Sequence, residues 1–157
     1  MSDTTAAAPP EDWIAIHSVL MAYAHGIDHH KWDLLRGCFT EDCQVTYGEP
    51  WGPLEGIDVL MDFMIKFHEP LDDSSHSTTN FRVVAFDGDT AVAHCSVDAL
   101  LVRNGHPEGD HLRVAGHYVD GFVRTGEGWK IATRDFRRIW AAGNQNVALW
   151  DWEREEA

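Results

Sequence analysis

The stretch from Ala22 to Asp33, AYAHGIDHHKWD, closes an apolar-periodic segment with a phenol, Tyr23, and a carboxylate, Asp28. The two lie about 140° apart on a helical projection, so they flank one cavity only if the chain loosens between them, and Gly26 permits that. An aspartate taken out of water is costly unless a partner meets it, and the candidate partner is His76. Together these three groups are the parts of a proton-transfer site. Imidazole titrates near neutrality, at about 6.5. A carboxylate on one ring nitrogen fixes the tautomer and stabilises the cation formed when the other nitrogen takes a proton. The plainer reading of the same residues is two unrelated surface groups and a tyrosine packed in the core.

The elements that must position them follow from periodicity. From Glu11, the residues Trp13, Ile16, Leu20, Tyr23 and Ile27 recur at three- and four-residue steps, a helical stripe facing a core, with Asp12 suited to the first turn. A short second helix is expected from about His30 to Cys38, with Trp32, Leu35 and Phe39 inward, then a turn at Thr40-Glu41-Asp42 and a strand from Cys43 to Tyr47. Residues 48–56, with Pro50, Pro53 and three glycines, read as a loop holding at most a fragment of strand. Ile57 to His68 reads as a third helix ended by Pro70. Beyond Ser74 come four long strands, 76–86, 90–103, 111–125 and 129–142, joined by glycine-bearing turns and one longer loop. Helices first and an antiparallel meander afterwards make an α+β domain in which helices close the concave face of a curling sheet around a pocket. Residues 1–10 read as a disordered tail, 11–142 as the domain and 143–157 as an acidic C-terminal extension.

Strand parity then nominates pocket residues. If Tyr118 points inward, Val114, Gly116, Asp120 and Phe122 share its face. In the last strand Arg134, Phe136, Arg138 and Trp140 share a face. In the second of the four, Asp98 lies on a polar face with His94 and Ser96, while Ala91, Ala93, Cys95, Val97, Ala99 and Leu101 form an apolar face expected to pack on helices or a subunit.

Composition narrows the function. The chain has 157 residues, and its 12 basic and 26 acidic side chains give a formal charge of −14, which opposes binding to nucleic acid and to anionic membrane surfaces. Three cysteines at unpaired spacing, the absence of a basic or apolar leader and the absence of a membrane-length apolar run point to a cytoplasmic protein with reduced thiols. No metal site is expected: His25 and His29 are four apart beside His30, but Gly26 and the lack of an HExxH pattern weigh against ligation, and His106, His111 and His117 are poorly spaced. The late tryptophans Trp140, Trp150 and Trp152 suit either a pocket mouth or packing against a second subunit.

Taken in order, several pieces resemble the SnoaL-like branch of the nuclear-transport-factor-2-like superfamily. They are the helix bearing Tyr23 and Asp28, the Trp32-Asp33 helix with Phe39 and Asp42, and the Gly56 turn before a helix. The strand start from His76 to Asn80, the Gly88-Asp89-Thr90-Ala91 hairpin, Gly116-x-Tyr118 and Gly128-Trp129-Lys130-Ile131 complete the set. The resemblance spans about residues 11–142, and its relatives include bile-acid 7α-dehydratase, scytalone dehydratase and lindane dehydrochlorinase. It implies a cone-shaped α+β fold with one deep pocket, assembly as a homodimer or homotrimer, and cofactor-free chemistry on a small molecule. Residue by residue, it implies that Asp28 and His76 form a catalytic dyad and that Tyr23 is a catalytic tyrosine. It further implies that Asp98 and Arg138, or Arg134 in the alternative register of the last strand, are polar pocket residues beside Val114, Tyr118 and Phe136. A second tyrosine and second histidine of the scytalone type fall on Tyr47 or Tyr118 and on His94. The activity implied is a lyase or dehydratase acting on a steroid, aromatic or polyketide-like ring compound. The alternatives are an isomerase or cyclase, a non-catalytic ligand-binding protein, and a small subunit of the ring-hydroxylating dioxygenase type.

Overall fold

In the computed structural model, which describes residues 7–48 and 51–148, three helices precede and flank a six-stranded sheet. Helix α1 runs Pro10–Asp28, α2 Trp32–Gly37 and α3 Ile57–His68; the strands are β1 Phe39–Thr46, β2 Leu54–Glu55, β3 Asp73–Phe86, β4 Thr90–Val102, β5 His111–Thr125 and β6 Gly128–Gly143. Proline opens α1, where its missing N–H costs nothing, and Glu11 and Asp12 occupy the positive first turn. Asp12 also accepts hydrogen bonds from Trp129 Nε1 at 3.0 Å and Arg124 at 2.8 Å, tying the helix start to the sheet.

The buried face of α1 carries Ile16, Leu20, Tyr23, Gly26 and Ile27. Trp13 is not on it: the ring lies at the flank, stacked on His17 and edge-on to Phe81. The expected loosening at Gly26 does not occur either, because the helix is continuous to Asp28. Gly26 instead lets α2 approach closely, since a Cβ there would lie 3.0 Å from the Leu35 backbone nitrogen. Tyr23 and Asp28 reach a common neighbour from a regular helix because β3 runs along it.

The strand order is β2-β1-β6-β5-β4-β3. The β3, β4, β5 and β6 segments form the expected meander, but the sheet is mixed rather than antiparallel throughout, because β1 pairs with β6 in parallel. The expected turn at Thr40-Glu41-Asp42 lies inside β1 and forms its bulge: Phe39 pairs with Ile131 while Gln44 already pairs with Thr133. The sheet curves without closing, and the helices cover its concave face. The main core joins Ile16, Leu20, Ile27, Leu35, Leu60 and Met64 of the helices to Ala93, Cys95, Phe122 and Ile131 of the sheet. A smaller cluster of Leu71, Leu101, Leu112, Val147 and Ala148 packs the chain after β6 over the end of β4 and β5. Trp150, Trp152 and the acidic residues beyond them lie outside the described residues. Among the described residues no helix is long and apolar enough to cross a membrane.

Candidate active site

Ser74 and His76 stand two apart on β3 and so project from one face, toward the end of α1. Asp28, the last residue of that helix, accepts His76 Nδ1–H at 2.6 Å and Ser74 Oγ–H at 2.9 Å on Oδ1, and the main-chain N–H of His76 at 2.8 Å on Oδ2. The His76 side chain is 6% exposed and that of Asp28 15%. Burial pushes the Asp28 pKa upward, but the hydrogen bonds and charge of His76, with Ser74, outweigh it and hold the carboxyl below its usual range. With Nδ1 committed to a carboxylate, the nitrogen His76 has left for the cavity is Nε2.

That cavity encloses about 410 Å³ and is mostly apolar, with Phe63, Phe67, Val97, Leu101 and Phe136 in its wall. Tyr23, Tyr47 and Tyr118 bring phenols to it, and the hydroxyls of Tyr23 and Tyr47 are 3.2 Å apart. Burial raises the Tyr47 and Tyr118 phenols well above the ordinary tyrosine value, with Arg134 pulling against it, so both are protonated and able to donate. The apolar face of β4 packs on the helices as expected and, through Val97, Ala99 and Leu101, also lines the cavity.

Of the residues nominated from sequence, Tyr23, His76, Val114, Tyr118, Phe136 and Arg138 line the cavity, and Asp28 supports it from behind His76. Asp98 does not belong there: it faces outward and is paired with Arg113 through two hydrogen bonds on the exposed side of the sheet. Parity had sorted the residues of β4 correctly into two faces, but Asp98 is on the outer one. His94 is likewise exposed. Arg134 is fully buried but stands behind the wall, with two bonds to Asp120 at 2.8 and 2.7 Å and its guanidinium carbon 4.1 and 3.9 Å from the ring centres of Tyr23 and Tyr118. Burial disfavours its cation, yet the charge and hydrogen bonds of Asp120 more than compensate and raise its pKa.

Of the two arginines, Arg138 is therefore the one at the cavity, exposed near Gln145. Trp140 leaves the shared face because the ladder shifts there: Gly116 pairs with Arg138 but Ala115 with Trp140, so Ile139 is extra and the tryptophan turns to the other side, half exposed. Gly116 fits Phe136, whose ring occupies the space a Cβ at 116 would need.

Ser74 and His68 are not among the residues nominated from the sequence: Ser74 lies in β3 ahead of the expected strand start at residue 76 and bonds Asp28, and His68, on the buried face of α3 one turn after Met64, lines the cavity. Cys38, Cys43 and Cys95 are buried, and burial pushes each thiol up to about 11, which leaves them unreactive near neutrality. Among the described residues no three His, Cys, Asp or Glu side chains converge as a metal site, and the His25 and His29 rings lie 4.4 Å apart on an exposed surface.

A curved sheet roofed by N-terminal helices, with a carboxylate–imidazole pair set in an apolar cavity, defines a small pocket protein of the nuclear-transport-factor-2-like fold. Within that class the chain belongs to the SnoaL-like domain family, whose model matches residues 11–135. Among solved structures it is similar to a protein provisionally named an aromatic ring hydroxylase from Novosphingobium aromaticivorans, at 28% identity over 90% of this chain and 99% of that one, with a TM-score of 0.81. It is also similar to a provisionally named scytalone dehydratase from the same organism, at 21% identity over 84% and 87% of the two chains, TM-score 0.77. A hexachlorocyclohexane dehydrochlorinase from Novosphingobium barchaimii aligns at 19% identity over 87% and 92%, TM-score 0.71. At those last two identities the likeness is one of fold. No curated protein matches the chain significantly.

Proposed function

We propose that this protein is a cofactor-independent lyase that removes a proton from a mostly apolar ring compound and expels a leaving group from the neighbouring carbon. The observation that carries the reading is the 2.6 Å bond between Asp28 and His76 at the wall of the cavity. His76 Nε2 takes the proton from carbon, and Asp28, kept ionised, stabilises the imidazolium through Nδ1–H. The Tyr23 and Tyr47 hydroxyls donate to the oxygen that gains negative charge, either a carbonyl conjugated with the reacting carbon or a departing hydroxide. The proton on His76 is then available to the leaving group or to water. Arg138 at the exposed side suits a carboxylate or another anionic end of the substrate.

An isomerase or cyclase shares the first step. The provisional name of the neighbour at 28% identity favours a second reading, a protein connected with ring hydroxylation in which the cavity binds without reacting. A non-catalytic protein has no need of an imidazole pinned this closely to an ionised carboxylate, and the pairing is the reason the lyase reading leads.

The test is a turnover screen of wild type and His76→Ala against hydroxylated steroids, polyketide-like aromatics and halogenated rings, following loss of water or halide by mass spectrometry. General acid–base groups typically contribute about 10²- to 10⁴-fold. A loss of that size in the folded variant supports the reading. Turnover equal to wild type removes His76 from its centre.

A further inference from the structure

The cavity holds a second imidazole that the proposed chemistry does not use. His68, the last residue of α3, bonds through Nδ1 to the carbonyl oxygen of Met64 at 3.0 Å. A carbonyl only accepts, so Nδ1 carries the hydrogen and Nε2 is left with a lone pair. His68 lines the cavity although the residue is only 5% exposed, and its ring centre is 5.7 Å from that of His76. Among the described residues Nε2 has no partner, and it is not among the polar atoms sealed off without one, which places it at the cavity surface. Burial, reinforced by the charge His76 can carry, pushes His68 down to about 3, so the ring is neutral wherever the protein functions.

The two imidazoles thus have the same valence. Each Nδ1–H is committed to protein, one to Asp28 and one to Met64, and each ring turns its Nε2 to the cavity, that of His76 being an acceptor on the reading of His76 as the base. Two acceptors side by side in an apolar wall are well satisfied only by a molecule bringing two hydrogens to them, because a buried acceptor left unmet costs free energy. His76 has a pinned carboxylate to stabilise its cation, whereas His68 has only the Met64 carbonyl.

We propose that His68 is a specificity-determining acceptor that selects substrates bearing a hydroxyl within one ring's span of the carbon His76 deprotonates. The proposal rests on the reading of His76 as the base and adds the substrate class: hydroxylated rings, with an ether or unsubstituted ring discriminated against.

Binding, which needs no turnover, tests it with 2-naphthol and 2-methoxynaphthalene as probes. By calorimetry, wild type binds the naphthol roughly tenfold more tightly, the worth of one buried hydrogen bond. His68→Phe, which keeps an apolar ring but no acceptor, brings the ratio close to one; His68→Gln, whose amide oxygen can stand where Nε2 was, restores part of it. His76→Ala keeps the preference, so loss of it there and not in His68→Phe overturns the assignment to His68 while leaving the role of His76 as base to the turnover screen. A tenfold preference retained in His68→Phe, or no preference in wild type, also overturns it. Should His68→Phe fail to fold, ¹⁵N spectra of histidine-labelled wild type decide. The His68 Nε2 resonance moves upfield on adding 2-naphthol and stays put with the methyl ether; an unmoved resonance with both overturns the proposal.

Discussion

Both oxygens of Asp28 are bonded to the single residue His76, one to its ring at 2.6 Å and the other to its own main-chain N–H at 2.8 Å. The aspartate therefore holds the imidazole against its own backbone, which limits rotation of the ring. An aspartate bonded only to the ring would leave it free to swing with its partner.

Asp28→Asn keeps the shape and removes the charge, and turnover should fall by about 10² or more with the fold intact. The same variant reads out acid stability. The Asp28 pKa is lower in the folded protein than its ordinary value of 3.8, so between the two values the unfolded chain binds more protons. Its stabilisation is complete above about pH 4 and is lost as pH falls through the folded-state pKa. The gap in melting temperature between wild type and Asp28→Asn should be constant near neutrality and narrow below pH 4; a gap that widens there would contradict the assignment.

Arg134 and Asp120 form a pair with side chains 0% and 3% exposed. Removing one member strands the other charge, so Asp120→Ala should cost on the order of 3–5 kcal/mol, or about 10 °C in melting temperature. Replacing both by apolar residues of similar volume should recover much of that loss. Calorimetry of the single and double variants checks both statements.

Asp98→Ala should leave turnover and melting temperature unchanged, because its bonds to Arg113 lie on the exposed side of the sheet and surface pairs contribute little. A large loss of activity would return Asp98 to the site.

Gly116→Ala should weaken binding of any ring ligand without touching a polar group. Its new methyl group competes with the Phe136 ring and the Arg137 carbonyl, and the overpacking should cost roughly 1–3 kcal/mol. A crystal structure should show Phe136 displaced into the cavity.

Local chemistry made much of this molecule legible. The run from Ile57 to His68 shows its helical period between a glycine and a proline, and the structure begins and ends α3 at those residues. The hairpins at Gly88 and Gly126 fixed strand parity well enough to put Val114, Tyr118 and Phe136 together in the wall. Parity separates faces without saying which is inner, so it does not test the pocket position that the family resemblance implies for Asp98, which the structure puts on the outer face. Parity also breaks at bulges, as at Ile139, where the shift turns Trp140 away. The parallel contact of β1 with β6 joins segments some ninety residues apart, and no local signal announces it. Parity puts Asp120 on the Tyr118 face and Arg134 on the last strand, but no local signal says that the two stand directly opposite and pair.

The position of β6 between β1 and β5 governs how the protein can be made. Strand β1 is synthesised early but finds its long partner only when the last strand emerges from the ribosome. Until then the edge that will receive β6 is open on both sides, on β1 and on β5, and Arg134 and Phe136 have not arrived to seat the tyrosines. The meander of β3, β4 and β5 can pair during translation, whereas the wall behind the phenols assembles at its end. A nascent chain halted before residue 128 would thus carry Asp28 and His76 and still lack a finished pocket.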